Sequence, residues 1–130
     1  MTASRAALAL FFAAAGVLHF VRPDAYVRIV PPSFPHPRLL VLASGALEVA
    51  GGLGLLVPRL RRAAGWGLVL LLAAVFPANV HMALHPDRYP GLPPALLWGR
   101  LPLQALAIWW VLAATRARTQ PPRAVRSRLT

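Results

Sequence analysis

The chain has 130 residues, enough for one domain. Hydrophobic residues make up 58% and charged residues 13%, about half the charged fraction usual in a soluble domain, so lipid rather than water is the expected solvent. The 14 basic residues are all Arg and face 3 acids, for a formal charge of +11, but they flank apolar runs instead of covering one soluble face, which argues against nucleic acid as a partner. The absence of Cys excludes disulfides, thiol exchange, thiolate metal sites and iron–sulfur clusters.

In chain order, four runs are read as helices, each near the ~20 apolar residues that a hydrocarbon crossing takes. In lipid such runs must be helical, because no water satisfies the backbone. The first extends from Ala6 to Val21. Arg5, the stretch after it and the small residues Ala13 to Gly16 also resemble a cleavable signal peptide, but the run continues to Val21, so a retained helix is expected. The second runs from Leu39 to Val57 and stops at Pro58 and Arg59. The third runs from Ala63 to Leu84, with a kink predicted at Pro77, which offers no backbone donor. The fourth runs from Leu96 to Ala114. The tail from Thr115 to Thr130 is Arg- and Pro-rich, buries no apolar face and is expected to be disordered, with its Arg residues suited to anionic lipid headgroups.

The predicted fold is therefore all-α, an integral membrane four-helix bundle. Arg5, Arg59, Arg61, Arg62, Arg116, Arg118, Arg123, Arg126 and Arg128 fall on one side of it, against Arg22, Arg28, Arg38 and Arg88 on the other. The positive-inside rule then puts both termini in the cytoplasm. Trp66, Trp98, Trp109 and Trp110 lie toward span ends, as an aromatic belt requires. Arg without Lys, with abundant Ala, Gly and Pro, suits a GC-rich bacterial genome and hence the bacterial inner (plasma) membrane. The outer loops also match each other: Pro23-Asp24-Ala25-Tyr26 then Pro31-Pro32, and Pro86-Asp87-Arg88-Tyr89 then Pro93-Pro94. The match suggests two helical hairpins related as a parallel repeat.

Polar groups inside a span are costly and point to function. Glu48 lies nine residues past Leu39, roughly 13 Å deep at 1.5 Å per residue. Gln104 and Arg100 fall at roughly 12 Å and 6 Å by the same rise. Asn79, His81 and His19 lie in the last turns of outward-going spans. All four helices thus place polar groups in the outer half, while the inner half is almost wholly Ala, Leu, Val and Gly. Arg100 is the expected partner of Glu48, either as an architectural clasp or as part of a site. Ser44, Gly45, Gly51 and Gly52 allow close helix approach. His81 and His85 have the i, i+4 spacing of a metal pair, but a third ligand would have to come from elsewhere, such as His19, and interfacial hydrogen bonding is the simpler reading. The six residues His19, Glu48, Asn79, His81, Arg100 and Gln104 form the candidate ligand pocket. Tyr26, Ile29 and Val30 would be its lid, and Gly16, Gly45 and Ala78 would give it volume.

Gly16-Val17-Leu18-His19-Phe20 with Pro23, Ile29-Val30-Pro31, Ser44-Gly45-Ala46-Leu47-Glu48 with Gly51-Gly52, Phe76-Pro77-Ala78-Asn79 with Met82, and Arg100-Leu101-Pro102-Leu103-Gln104 occur in an order that resembles the DoxX-like family of small bacterial membrane proteins. The resemblance runs from about Ala6 to Ala114. It implies a four-helix membrane domain; some relatives are membrane subunits of redox systems, and no shared catalytic residue carries over. The first expectation is a non-catalytic subunit or scaffold of a membrane complex, redox-linked through an oxidoreductase partner. The alternatives are a quinone-binding subunit, whose electron carrier a partner would supply, and a small proton-coupled transporter using Glu48. No catalytic constellation is evident, and an enzyme acting alone has the least support.

Overall fold

The computed structural model describes residues 3–116, and the expected disordered tail from 117 onward lies outside the described residues. Five helices follow in order: α1 (Ala3–Val21), α2 (Pro23–Val27), α3 (Pro37–Gly54), α4 (Arg61–Leu84) and α5 (Pro94–Thr115), with a 3-10 turn at Pro86–Arg88 before α5. There is no strand among the described residues. Proline sits in the first turn of α2, α3 and α5. Its missing N–H costs nothing there and its fixed φ favours the helix, so these helices start earlier than an apolar count suggests. α3 ends at Gly54, short of the expected Val57, because Leu56 and Val57 close 3-10-type bonds onto Leu53 and Gly54. Of the four long helices, α1, α4 and α5 are long and apolar enough to cross a membrane. α3 is not among them, as its glycines, Ser44, Arg38 and Glu48 dilute its apolar content.

Packing follows chain order. α1 lies along α3, α3 meets α4, and α4 lies along α5; α1 and α5 touch only lightly. The order of long helix, short Pro-Asp turn and Pro-started long helix therefore occurs twice. Gly16 and Gly45 bring the backbones of α1 and α3 together: a Cβ on Gly16 would stand 2.5 Å from Gly45 O. Close approach through small residues is how helices associate tightly without long side chains between them.

The two ends of the structure differ. At the terminal end, where α1 begins and α5 finishes, Leu8, Phe12, Leu55, Leu68 and Val111 form one core. At the loop end, Met82, Ala83, Tyr89 and Leu97 form a second. Arginines finish the terminal end by donating to main-chain carbonyls in part-buried bonds: Arg5 Nε to Ala114 O at 2.9 Å, and Arg61 Nε to Leu55 O at 2.9 Å. Cations at these positions also answer the negative ends of α5 and α3. At the loop end Arg38 Nη1 donates to Asp24 Oδ1 at 3.3 Å, an exposed pair of little energetic weight.

Candidate functional site

The six polar residues expected to share one pocket separate into four local arrangements. The common depth of Glu48, Arg100 and Gln104 does not bring them together, because rotation about each helix axis also decides which groups meet.

The first arrangement joins α1 to α3. His19 Nδ1 and Glu48 Oε2 stand 3.5 Å apart, with side chains 13% and 16% exposed. The pair is not in hydrogen-bonding geometry, and neither atom has another hydrogen-bond partner. Glu48 therefore faces His19 instead of the expected Arg100, among the described residues. The reason is local: Gly16 and His19 are three residues apart on α1, and Gly45 and Glu48 three apart on α3. The backbone contact between the two glycines presses the next turns together, and a Cβ on Gly45 would meet His19 Cβ at 2.6 Å. Gly16 and Gly45 thus supply no pocket volume, contrary to expectation; helix approach consumes the space they leave.

The second joins α4 to α5 in the interior. Asn79 and Gln104 are buried, 8% and 6% exposed. Asn79 Nδ2 donates to Gln104 Oε1 at 2.7 Å, and Gln104 Nε2 donates to Leu72 O. Pro77 provides no N–H to the Ala73 carbonyl four residues back, and Gln104 meets α4 one residue earlier. This is a network between helices, in which Asn79 pairs across to α5. Gln104→Leu removes an acceptor from Asn79 and a donor from Leu72 O together. We expect a loss of about 1–2 kcal/mol. The double variant Asn79→Leu/Gln104→Leu should cost less than the sum of the singles, measured by denaturation in detergent; strict additivity would contradict the pairing.

The remaining residues lie apart. His81 and His85 stack at 4.3 Å between ring centroids. His85 Nδ1 lies 2.9 Å from the His81 carbonyl oxygen, and Tyr89 OH approaches His81 Nδ1 at 3.5 Å. Among the described residues no group of three or more His, Cys, Asp or Glu converges as a metal site would. Arg100 Nη1 donates to the Met82 sulfur at 3.5 Å, a weak acceptor.

A cleft of about 330 Å³ opens beside the first arrangement. Its walls are α1, α3 and α4, and α2 with the following loop covers it. Of the six expected residues only His19 lines it; Tyr26, Ile29, Val30 and Ala78 do line it, as the proposed lid and space-giving residues. Ser44, Leu71, Ala74 and Val75 were not foreseen as lining, since an apolar cleft wall and a lipid-facing helix have the same composition. Ser44 spends its hydroxyl on Leu40 O at 2.7 Å. The Tyr26 ring meets His19 edge-on at 4.0 Å. Burial first, and then the Glu48 carboxylate, push the Tyr26 phenol above its ordinary value, while Arg100 opposes them. The phenol therefore keeps its proton at neutral pH and can donate it in a hydrogen bond. The cleft is thus an apolar slot with a phenol and an imidazole in its lining, Glu48 standing beside His19 outside that lining, suited to a mostly apolar ligand bearing an oxygen.

No curated protein matches the chain. No solved structure matches it either. A family model does match, over residues 8–115, which takes in most of α1, all of α3, α4 and α5, both polar pairs and the cleft, and the chain accordingly belongs to the family described as Domain of unknown function (DUF8561).

Proposed function

We propose that the chain is an integral membrane protein crossing the bacterial plasma membrane four times with both termini in the cytoplasm, a DoxX-like, non-catalytic subunit of a redox-linked complex, and that its cleft holds a quinone-class ring. Support for the membrane comes from the three apolar helices and from side chains such as Leu10 and Leu70, 73% and 67% exposed. Apolar surface spread on that scale is unusual around a soluble monomer and ordinary in lipid. α3 would then cross inside the cover of α1 and α4. The two ends of the helical body meet at Arg5 and Ala114, which suits an even number of crossings. The Arg bias then sets the orientation.

The ligand reading is carried by the cleft: about 330 Å³, apolar, with the Tyr26 phenol and the His19 imidazole among its lining residues. Ligand sites begin near 300 Å³ and join apolar walls to a few placed polar groups. Tyr26 would donate to a ring oxygen, and Glu48 would orient the His19 imidazole. An isoprenoid tail would leave between helices into lipid. The chain has no Cys and no evident electron carrier, so an oxidoreductase partner would supply the electrons. The transporter alternative has less to stand on, because Leu8, Phe12, Leu55, Leu68 and Val111 fill the terminal end.

The test is lipid extraction and mass spectrometry of the full chain purified in mild detergent. Quinone should co-purify, and Ala74→Phe or Ala78→Phe should reduce it at least tenfold without lowering the thermal midpoint. If none co-purifies and a short-chain quinone leaves Trp fluorescence unchanged, the ligand reading fails and a scaffold remains.

A further inference from the structure

His19 and Glu48 can do more than orient each other. Nδ1 and Oε2 stand 3.5 Å apart, and neither atom has another hydrogen-bond partner. Buried polar atoms are rarely left so, and the bond that satisfies both is the one between them. His19 lines the cleft and Glu48 does not. With Nδ1 turned to Glu48, Nε2 is the ring nitrogen left for a ligand. The other groups at the pair hold one charge state near neutral pH. The Tyr26 ring from α2 meets His19 at 4.0 Å, and its phenol keeps its proton. Arg100 from α5 acts on Tyr26 and is always charged. The Val41 main chain, also beside the His19 ring, does not titrate. α4 brings only Leu71, Ala74, Val75 and Ala78 to the cleft.

The pair therefore has two states that differ by one proton, and they belong to the pair rather than to either residue. In the protonated state that proton sits on the carboxyl or on Nδ1. Either way Nε2 carries a hydrogen and donates. When the proton leaves, the carboxylate holds the remaining ring hydrogen on Nδ1, and Nε2 becomes an acceptor. A carbonyl oxygen only accepts, whereas a hydroxyl also donates. Tyr26 donates to either. We infer that His19 and Glu48 tie the oxidation state of the bound ring to one proton: the protonated pair selects the quinone, and the deprotonated pair selects the hydroquinone. The inference rests on the quinone reading above and adds to it which form the cleft holds. Exchange of a bound quinone for its hydroquinone then releases a proton from the pair.

The test titrates the full chain in detergent, anaerobically, with a short-chain quinone and with its hydroquinone, by calorimetry. It runs from about pH 5.5 to about pH 8.5, where a histidine-centred pair changes charge. The chain has no Cys for the quinone to alkylate. The quinone dissociation constant divided by that of the hydroquinone should rise by about tenfold or more across this range, the worth of one hydrogen bond made or lost in an apolar slot. Glu48→Gln should keep that ratio low and flat, because its amide donates to Nδ1 and leaves the hydrogen on Nε2. Tyr26→Phe should weaken both forms and keep the slope. A ratio that is flat or falls with pH in the unaltered chain overturns the inference, as does a slope that survives in Glu48→Gln. In either case both forms bind and the quinone reading stands. If neither form binds at any pH, the quinone reading fails and this inference fails with it.

Discussion

Gly16→Val should abolish folded protein. The first atom of any side chain at Gly16 would stand 2.5 Å from Gly45 O, 2.7 Å from Val49 Cγ2 and 2.9 Å from Val49 N. Two of those three atoms belong to the α3 backbone and cannot move aside without moving the helix. One excess methylene in a packed interior already costs about 1–3 kcal/mol. Valine adds three carbons between the two helices that pack most extensively among the described residues. Gly45→Val should do the same, since its Cβ would meet His19 Cβ at 2.6 Å and Gly16 O at 2.8 Å. Gly67→Ala and Gly99→Ala are the controls. Both positions face open space, and a helical Gly→Ala change there should add about 0.5–1 kcal/mol. Yield of monodisperse protein and thermal midpoint in detergent, followed by Trp fluorescence, decide the matter. A Gly16→Val protein that melts with the unaltered chain would rule out this crossing.

The next largest effect is expected at His19. His19→Leu leaves Glu48 Oε2 facing an apolar side chain, with no other hydrogen-bond partner within reach. Leaving a buried polar group unsatisfied costs about 1–3 kcal/mol, more for a charged one, and the partial exposure of both groups here keeps the expectation at about 2–3 kcal/mol. Glu48→Leu should be milder, since a neutral imidazole is cheaper to leave unpaired than a carboxylate. The double variant His19→Leu/Glu48→Leu should recover most of the loss, because replacing both partners removes the orphan. Arg100→Ala should cost less than His19→Leu, in line with its single weak bond to sulfur. If Arg100→Ala is the most damaging of these changes, then Glu48 answers to Arg100 in solution and the assignment to His19 is wrong.

That ordering reverses what the sequence suggests, and the reversal shows where sequence reasoning loses its hold. Helix positions were legible to within a few residues, because apolar runs bounded by Arg mark them; the Pro residues that start α3 and α5 each lie two residues before the apolar run. Depth was legible too: Asn79 and Gln104 were assigned to one half of the structure, and they bond there. Rotation was not. α3 carries apolar residues on every side, so nothing in its periodicity says which way Glu48 points. Choosing a partner by charge alone favoured Arg100. The missing signal was geometric and present in the sequence: Gly16 precedes His19, and Gly45 precedes Glu48, by the same three residues. Two glycines that let helices touch also select the pair of side chains one turn further on. The cleft was illegible for a different reason. Leu71, Ala74 and Val75 differ in no way from residues that face lipid, and only the course of α2 and its loop turns that surface into a wall.

The bond from Arg5 to the Ala114 carbonyl spans 109 positions of sequence. A ribosome therefore makes one partner 109 residues before the other. During that interval α1 and α3 can dock through their glycines, a local event, while the arginine waits for an acceptor that does not yet exist. Contacts of such separation form late and slowly. The tie between the two ends is thus a closing step, available only to a chain synthesised through Ala114. A nascent chain stalled in the fourth long helix would hold a finished first hairpin with its terminal end still open.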